Sequence, residues 1–311
     1  MMKVLVTCPP MLGIIDEFRS KFQDAGVGLT TPDVVQILSE GELIQLLPEH
    51  DGWIAGDDAA NRSVLTAGTR GRLRALVKWG VGTDNVDWKA AAELGLRVSH
   101  TPGMFGPEVA DVAMAYVAGL ARELFLIDRH VRGGHWPKPR GLSLSGRTMA
   151  IVGLGDIGSN LSRRAMAAGM HVMGFDPRYV TGRTADGIEI RQWSSGLETA
   201  DFIVLTCPLT RDTYHMLGRE ALSLSKHGVR IVNVARGPLI DEAALVEALQ
   251  SGRVHSAALD VMEIEPLPLN STLRQYERCV FGSHNSSNTV EAVRRASAQA
   301  VHQLFSQLGL E

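Results

Sequence analysis

Three glycines, Gly153, Gly155 and Gly158, directly follow the apolar run Met149–Val152. The first two allow a sharp turn and a close backbone approach to a pyrophosphate, and the third allows a following helix to pack closely. A helix that starts at Ile157 would point its amide dipole at the phosphates. The segment therefore predicts a dinucleotide-binding loop.

An acidic residue, Asp176, ends the next apolar run, His171–Phe175. A carboxylate at this position accepts hydrogen bonds from an adenosine ribose diol, and its charge repels a 2′-phosphate. The sequence therefore predicts NAD as the cofactor, rather than NADP. Arg178, two residues further on, slightly weakens that preference.

Three later residues have the types that oxidation of an alcohol requires. Such a reaction needs a base for the hydroxyl proton and, for an acid substrate, a cation for the carboxylate. Arg236 follows an apolar run and suits a bidentate grip on a carboxylate. Glu265 lies in a loop after another strand-like run, and His284 lies just past the last one. A carboxylate beside an imidazole stabilises imidazolium and fixes its orientation, so His284 is the predicted base in oxidation and acid in reduction.

Composition limits the partners that the chain can have. The chain has 311 residues and a formal net charge of −3, and it lacks a basic stripe. These features argue against nucleic acid or a membrane surface and favour small molecules. Cys8, Cys207 and Cys279 are widely spaced and include no CxxC pair, so neither a disulfide framework nor a zinc site is predicted. The histidines also lack metal-ligand spacing, and we expect no metal.

Two segments bear on localisation. The N-terminal apolar run ends at Cys8-Pro9-Pro10, which is too short for a signal peptide. The apolar segment Val109–Leu126 contains three charged residues and falls short of a membrane span. It suits either a buried helix or a dimer interface. We therefore expect a cytoplasmic protein.

The pattern along the chain indicates an α/β fold with two Rossmann-like or flavodoxin-like parallel-sheet domains. Apolar runs alternate with helical patterns both before and after residue 100. The predicted strands are Lys3–Thr7, Trp53–Ala55, Ala75–Trp79, Arg97–Ser99, Met149–Val152, His171–Phe175, Phe202–Cys207, Arg230–Val234, Ser256–Leu259 and Cys279–Phe281. The predicted helices are Ile14–Ala25, Lys89–Leu94, Val109–Leu126, Ser159–Ala168 and Val290–Leu308.

Two turns, at Thr101-Pro102-Gly103 and Gly282-Ser283-His284, are candidate hinges. They predict a substrate-binding domain formed by residues 1–100 plus 285–311 and an NAD-binding domain formed by residues 101–284. We expect the active site in the cleft between these domains.

The chain resembles the D-isomer-specific 2-hydroxyacid dehydrogenases, of the D-3-phosphoglycerate dehydrogenase type, over nearly its whole length. The resemblance rests on several motifs besides the glycine loop. They are Lys78-Trp79-Gly80-Val81-Gly82-Thr83-Asp84-Asn85-Val86-Asp87, His100-Thr101-Pro102-Gly103, Cys207-Pro208-Leu209-Thr210, Asn233-Val234-Ala235-Arg236-Gly237, Ala258-Leu259-Asp260-Val261 with Glu265-Pro266, and Ser283-His284.

The resemblance implies hydride transfer between NAD and a D-2-hydroxy acid or its 2-keto acid. It places Arg236, Glu265 and His284 at the catalytic positions and implies a homodimer formed through the NAD-binding domain. The expected cofactor contacts are Gly153, Gly155, Asp156, Ile157, Gly158, Asp176, Cys207, Pro208, Val234, Ala235 and Asp260, the last of which faces the nicotinamide amide. The expected substrate contacts are Lys78, Val81, Gly82, Arg236 and His284. Successive amides at Val81-Gly82 would form a concavity for the substrate carboxylate.

Departures from the family pattern bear on the substrate. Lys78 stands where phosphoglycerate enzymes commonly carry arginine, which keeps the charge but loses the bidentate fork. Phe105 replaces a frequent asparagine, and Ser283 replaces the usual proline before His284. Formate-oxidising relatives carry an amide at the position of Glu265, so formate is disfavoured.

A rival function is a dinucleotide-sensing binding protein, like the transcriptional corepressors that share this fold. The set of Arg236, Glu265 and His284 does not separate the two functions, because those corepressors keep it. Two further residues, His100 and Arg211, are candidates for contact with substrate or phosphate, and the alternative, which is preferred for both, is a solvated side chain.

Overall fold

The structure is a computed structural model, and it describes residues 1–310. By its internal contacts the chain divides into two compact units. Unit 1 comprises Met1–Met104 together with the chain from Asn288 onward, and unit 2 comprises Phe105–Ser287. The predicted α/β class with parallel sheets is confirmed.

Unit 1 is built on a five-stranded sheet with helices packed on it. Its strands are β1 (Met2–Val6), β2 (Val27–Thr30), β3 (Gly52–Ala55), β4 (Ala75–Lys78) and β5 (Arg97–His100). Its helices are α1 (Pro9–Leu12), α2 (Arg19–Asp24), α3 (Glu40–Leu46), α4 (Arg62–Arg70), α5 (Trp88–Glu93) and, from the end of the chain, α11 (Val290–Leu308). The strand order is β2-β1-β3-β4-β5, and all pairs are parallel.

Helices cover both faces of this sheet. On one face α11 lies over β3, β4 and β5, and an added Cβ at Gly52 would come within 3.2 Å of Leu304 and Leu308. On the other face Leu43 and Leu65, from α3 and α4, join the core around Trp53. Because residues of a strand alternate between faces, burial of every residue in β3 and β4 requires this double cover.

Unit 2 has an eight-stranded sheet. Its strands are β6 (Thr148–Val152), β7 (His171–Phe175), β8 (Gly182–Arg183), β9 (Glu189–Ile190), β10 (Phe202–Leu205), β11 (Val229–Asn233), β12 (Val254–Leu259) and β13 (Cys279–Phe281). Its helices are α6 (Gly106–Ala121), α7 (Leu124–Arg132), α8 (Asp156–Ala167), α9 (Arg219–Leu224) and α10 (Glu242–Gln250). The order is β13-β12-β11-β10-β6-β7-β9-β8, and the β8–β9 pair alone among these is antiparallel.

This order brings the carboxyl ends of β6, β10, β11 and β12 side by side. Consecutive strands β6 and β7 lie on one side of β10, while β11, β12 and β13 extend from its other side. Ligands of open parallel sheets bind at such a reversal of strand order, outside the carboxyl ends of the strands. The segments that follow these strands carry most of the predicted site residues.

Two predicted helices are wrong in extent. The segment Ile14–Ala25 is not continuous, because a 3₁₀ turn at Ile15–Glu17 precedes α2. The segment Val109–Leu126 is broken between α6 and α7 at Glu123, which has a left-handed φ of 56°. No helix within residues 1–310 combines the length and the apolar character that a membrane span requires.

Candidate active site

The glycine loop joins β6 to α8 in the way that dinucleotide binding requires. Gly153 has a φ of 93°, and an added Cβ there would lie 2.7 Å from the backbone of Cys207. A Cβ at Gly158 would lie 1.9 Å from the carbonyl oxygen of Gly153. The helix begins at Asp156 without a side-chain cap, because Gly155 occupies the cap position. Its first amides therefore fit a pyrophosphate.

Asp176 follows β7 and lies beside this loop. Its Oδ2 accepts a hydrogen bond from the Leu154 amide at 2.8 Å, and Arg178 forms an ion pair with it. Hydrogen bonding from the Arg178 side chain outweighs burial and lowers the pKa of Asp176 to about 2. The carboxylate is therefore charged at any physiological pH, as a ribose-diol acceptor must be.

The other predicted cofactor contacts of unit 2 lie at the same sheet edge. Cys207 and Pro208 follow β10, and Val234 and Ala235 follow β11. Cys207, Val234 and Ala235 are buried. Burial raises the pKa of the Cys207 thiol to about 11, which makes it a packing group rather than a nucleophile.

Arg236 is positioned by its own backbone neighbours. Asn233 ends β11 and bonds both sides of the turn: its Nδ2 donates to the Arg236 carbonyl at 2.8 Å, and its Oδ1 accepts from the Ala235 amide at 3.0 Å. Arg236 Nη1 donates to the Ala235 carbonyl at 2.8 Å. Gly237 follows in close contact with the next loop, since an added Cβ would lie 1.9 Å from the Met262 carbonyl.

Glu265 and His284 form a direct pair, although 19 positions separate them in sequence. Glu265 Oε1 accepts from the Met262 amide at 3.0 Å, and Oε2 lies 2.9 Å from His284 Nδ1. Both side chains are about one-fifth exposed, 22% for His284 and 21% for Glu265. Because Nδ1 faces the Glu265 carboxylate, Nε2 is the ring nitrogen on the side of His284 away from Glu265.

Asp260 supports the segment that carries His284. Its carboxylate accepts from the Ser286 hydroxyl, the Ser286 amide at 3.0 Å and the Asn285 amide at 3.2 Å. Its carbonyl accepts from the His284 amide at 2.7 Å. His284 itself has a left-handed φ of 55°. Ser286 was not among the predicted site residues, although its polar side chain lies close to His284 in sequence.

The predicted substrate contacts Lys78, Val81 and Gly82 belong to unit 1, at the end of β4 and in the loop after it. Lys78 is only 3% exposed. Its Nζ donates to Asp57 Oδ1 and to the Trp79 carbonyl, both at 2.9 Å. Asp57, two residues past β3, was not predicted. An acidic residue after a buried strand was the available signal.

Three further polar residues, two of which are close in sequence to Arg236 and Glu265, form a cluster. His215, Asp241 and Glu263 bring their ligand atoms within 4.8 Å of one another. His215 Nε2 lies 2.9 Å from Glu263 Oε1, and Asp241 caps α10 by accepting from the Ala244 amide. The Glu242 amide donates to Glu263 Oε1 at 3.0 Å and the Glu263 amide donates to Glu242 Oε1 at 2.8 Å, so the loop before Glu265 is tied to the start of α10. Among the other candidates, Arg211 is exposed, and the His100 ring lies edge-on to Trp88 in unit 1.

The class of protein follows from comparison with known sequences. Residues 114–286 match the family described as D-isomer specific 2-hydroxyacid dehydrogenase, NAD binding domain. Together with the relatives below, this match shows that the chain belongs to the D-isomer-specific 2-hydroxyacid dehydrogenase family. It is an NAD-dependent oxidoreductase, and the catalytic function is favoured over the sensing one.

Individual relatives differ in the acid that their names give. The hydroxypyruvate reductase of Thermotoga maritima is 34% identical over 278 residues, which cover 88% of this chain and 90% of that protein. The D-3-phosphoglycerate dehydrogenase of Methanocaldococcus jannaschii is 33% identical over 98% of this chain and 57% of its own length. The chain spans about half the length of the phosphoglycerate dehydrogenases that it matches.

A solved structure agrees with the fold. The crystal structure of a glyoxylate reductase from Paecilomyes thermophila has a TM-score of 0.85 and 26% identity to this chain. The similarity covers all of this chain and 95% of the other. The Rossmann-like fold with parallel sheets is therefore shared with a protein described as a glyoxylate reductase.

Proposed function

We propose that the protein reduces a small, unphosphorylated 2-keto acid to its D-2-hydroxy acid, with Arg236, Glu265 and His284 as the catalytic residues. The observation that carries the catalytic part is the 2.9 Å contact between Glu265 Oε2 and His284 Nδ1. A carboxylate in this position favours the protonated imidazole, which is the form that donates a proton to a keto oxygen.

Each of the three residues has its own role in the proposed reaction. Bound NADH supplies the hydride that reaches the keto carbon. His284 donates its proton from Nε2 to the keto oxygen, while Glu265 holds the ring and balances its charge. The Arg236 guanidinium grips the substrate carboxylate and polarises the carbonyl beside it. In oxidation the same His284 nitrogen accepts the hydroxyl proton.

The substrate class is inferred from the charge around Lys78, whose role as a substrate contact remains part of the proposal. A phosphate carries close to two negative charges at neutral pH and requires accessible cations. The Lys78 ammonium is buried and already paired with Asp57. A 2-keto acid that carries a hydroxyl or a hydrogen in place of the phosphate needs no additional cation. This supports the hydroxypyruvate and glyoxylate type of substrate over a phosphorylated one.

The test is the rate of NADH oxidation with a panel of 2-keto acids at neutral pH. The panel contains hydroxypyruvate, glyoxylate, pyruvate and phosphohydroxypyruvate. We expect kcat/KM for an unphosphorylated acid to exceed that for phosphohydroxypyruvate by at least tenfold. A preference for phosphohydroxypyruvate would overturn the substrate class and leave the chemistry intact. No oxidation with any acid, with NADH binding intact, would favour the sensing function.

The assembly and the location belong to the same proposal. The apolar helix α6 and the family resemblance support a homodimer formed through the NAD-binding domain. Cys8, Cys207 and Cys279 are free and buried, which suits a reducing cytoplasm. Sedimentation equilibrium should give about twice the chain mass of 33.7 kDa.

A further inference from the structure

The acceptor sites of the Asp176 carboxylate are filled by its neighbours. Oδ1 accepts from the Arg178 amide and from Arg178 Nε, both at 3.0 Å. Oδ2 accepts from the Leu154 amide at 2.8 Å and from Arg178 Nη2 at 2.7 Å. An ionised carboxylate offers about four acceptor sites. A ribose diol must therefore displace one of these donors before it can bind Asp176.

The Arg178 side chain is the donor that can leave. The Leu154 and Arg178 amides belong to the backbone, whereas the Arg178 side chain is 63% exposed. Its Nη2 lies 3.9 Å from the position that a Cβ on Gly155 would occupy. The guanidinium thus borders both the glycine loop and the carboxylate, which is where the adenosine ribose of a dinucleotide lies.

We propose that Arg178 selects the cofactor: it competes with the ribose diol for Asp176 and binds the 2′-phosphate of NADP(H), so that the enzyme uses both dinucleotides. The proposal rests on the proposed function, in which bound NADH supplies the hydride, and on the ribose-binding role that the sequence predicts for Asp176. Arg178 offsets the negative charge of Asp176, which would otherwise repel a 2′-phosphate. A guanidinium also matches a phosphate through two parallel hydrogen bonds.

The two cofactors should respond to Arg178 with opposite signs. With NADPH the guanidinium exchanges one anionic partner for another, so its removal should weaken binding by roughly 10- to 100-fold, the range for a hydrogen bond to a charged group. With NADH the guanidinium only obstructs Asp176, so its removal should leave binding unchanged or strengthen it a few-fold. A merely structural residue would weaken both equally.

The experiment measures Kd for NADH and NADPH by nicotinamide fluorescence, without substrate. The proteins are the wild type, Arg178→Ala and Arg178→Lys, where lysine keeps the charge but loses the fork. Arg294→Ala is the matched control, because Arg294 makes an exposed two-bond pair with Glu17 in unit 1. Since the readout is binding, failure of the proposed substrate does not affect the result.

We expect the wild type to bind both cofactors, with NADPH weaker than NADH by less than 100-fold. Arg178→Ala should lose NADPH selectively, Arg178→Lys should be intermediate, and Arg294→Ala should match the wild type. Three results would overturn the proposal: no NADPH binding by the wild type at millimolar concentration, unchanged NADPH binding by Arg178→Ala, or equal loss of both cofactors in that variant.

Discussion

Two of the carboxylate–imidazole pairs in unit 2, His284 with Glu265 and His255 with Glu123, have different surroundings. His284 Nδ1 lies 2.9 Å from Glu265, and both side chains are about one-fifth exposed. His255 Nε2 lies 3.3 Å from Glu123, whose side chain is only 6% exposed. The Glu123 carboxylate is shared with Arg278, at 3.5 Å.

Burial and neighbouring charge together decide whether His255 can act as an acid. Burial, and after it the guanidiniums of Arg230 and Arg278, lower the pKa of His255 to about 4. The shared Glu123 carboxylate does not offset them. His255 is therefore neutral at pH 7 and cannot serve as a proton donor there. A carboxylate beside a histidine is thus insufficient for acid chemistry.

The largest expected difference between the two pairs is the effect on kcat of replacing each histidine. Removal of a general acid lowers turnover by roughly 10² to 10⁴. His284→Ala should therefore show a kcat that much lower for NADH oxidation with the preferred keto acid. His255→Ala should keep kcat within a few-fold of the wild type. Near wild-type turnover in His284→Ala would refute the assignment of the acid.

Replacing the carboxylates of the two pairs, Glu265 and Glu123, should also lower kcat for the first pair only. Glu265→Gln keeps the shape of the side chain but loses the charge that stabilises imidazolium, so kcat should fall by roughly 10²-fold. Glu123→Gln is its matched control and should leave kcat nearly unchanged. If both variants lost activity equally while folded, the two pairs would be functionally equivalent and the distinction would fail.

The lowered pKa of His255 should make one identifiable contribution to the pH dependence of stability. The unfolded chain binds a proton at this residue below about pH 6.5, whereas the folded chain does so only near pH 4. The stabilisation that neutral His255 gives the folded chain is therefore fully present above pH 6.5. It is lost as the pH falls towards 4, and the free energy of unfolding decreases by at most about 3 kcal/mol. Urea unfolding at pH 7 and pH 4.5 should show a smaller difference for His255→Gln than for the wild type. An identical difference in both proteins would contradict the depressed pKa.

The smallest expected effect concerns the support of His284. Ser286→Ala removes one hydroxyl donor from Asp260 and leaves the Ser286 and Asn285 amides in place. Urea unfolding should show a loss of about 1.5 kcal/mol in the free energy of unfolding, the low end for a hydrogen bond to a charged group, because two amide donors remain. Turnover should fall less than in Glu265→Gln. A larger fall in kcat than that of Glu265→Gln would mean that Ser286 itself takes part in the reaction.

Short-range pattern predicted much of the fold. The strands His171–Phe175 and Cys279–Phe281 and the helix Val290–Leu308 have the bounds expected from apolar periodicity. The break at Glu123 was missed, and the ion-pair contacts that Glu123 makes lie far away in sequence. Glu123 contacts His255 and Arg278, more than 130 positions away, and no local pattern contains such a contact.

In the candidate site, too, some features were predictable from the sequence and others were not. Residue type and position after a strand were enough to select Arg236, Glu265 and His284. Sequence alone did not reveal Asp57 against Lys78 or Ser286 against Asp260, since each pairing depends on how separate strand ends are brought together. The bidentate bonds of Arg178 to Asp176 likewise depend on a side-chain conformation that spacing does not specify.

Gly237 is a position where the backbone leaves no room for a side chain. Its missing Cβ lets the chain after Arg236 lie against the Met262–Glu263 backbone, which leads to Glu265. Even alanine would force the two segments apart and move Arg236 and Glu265 relative to each other. Any side chain at position 237 should therefore disturb the proposed site, although Gly237 itself makes no contact through a side chain.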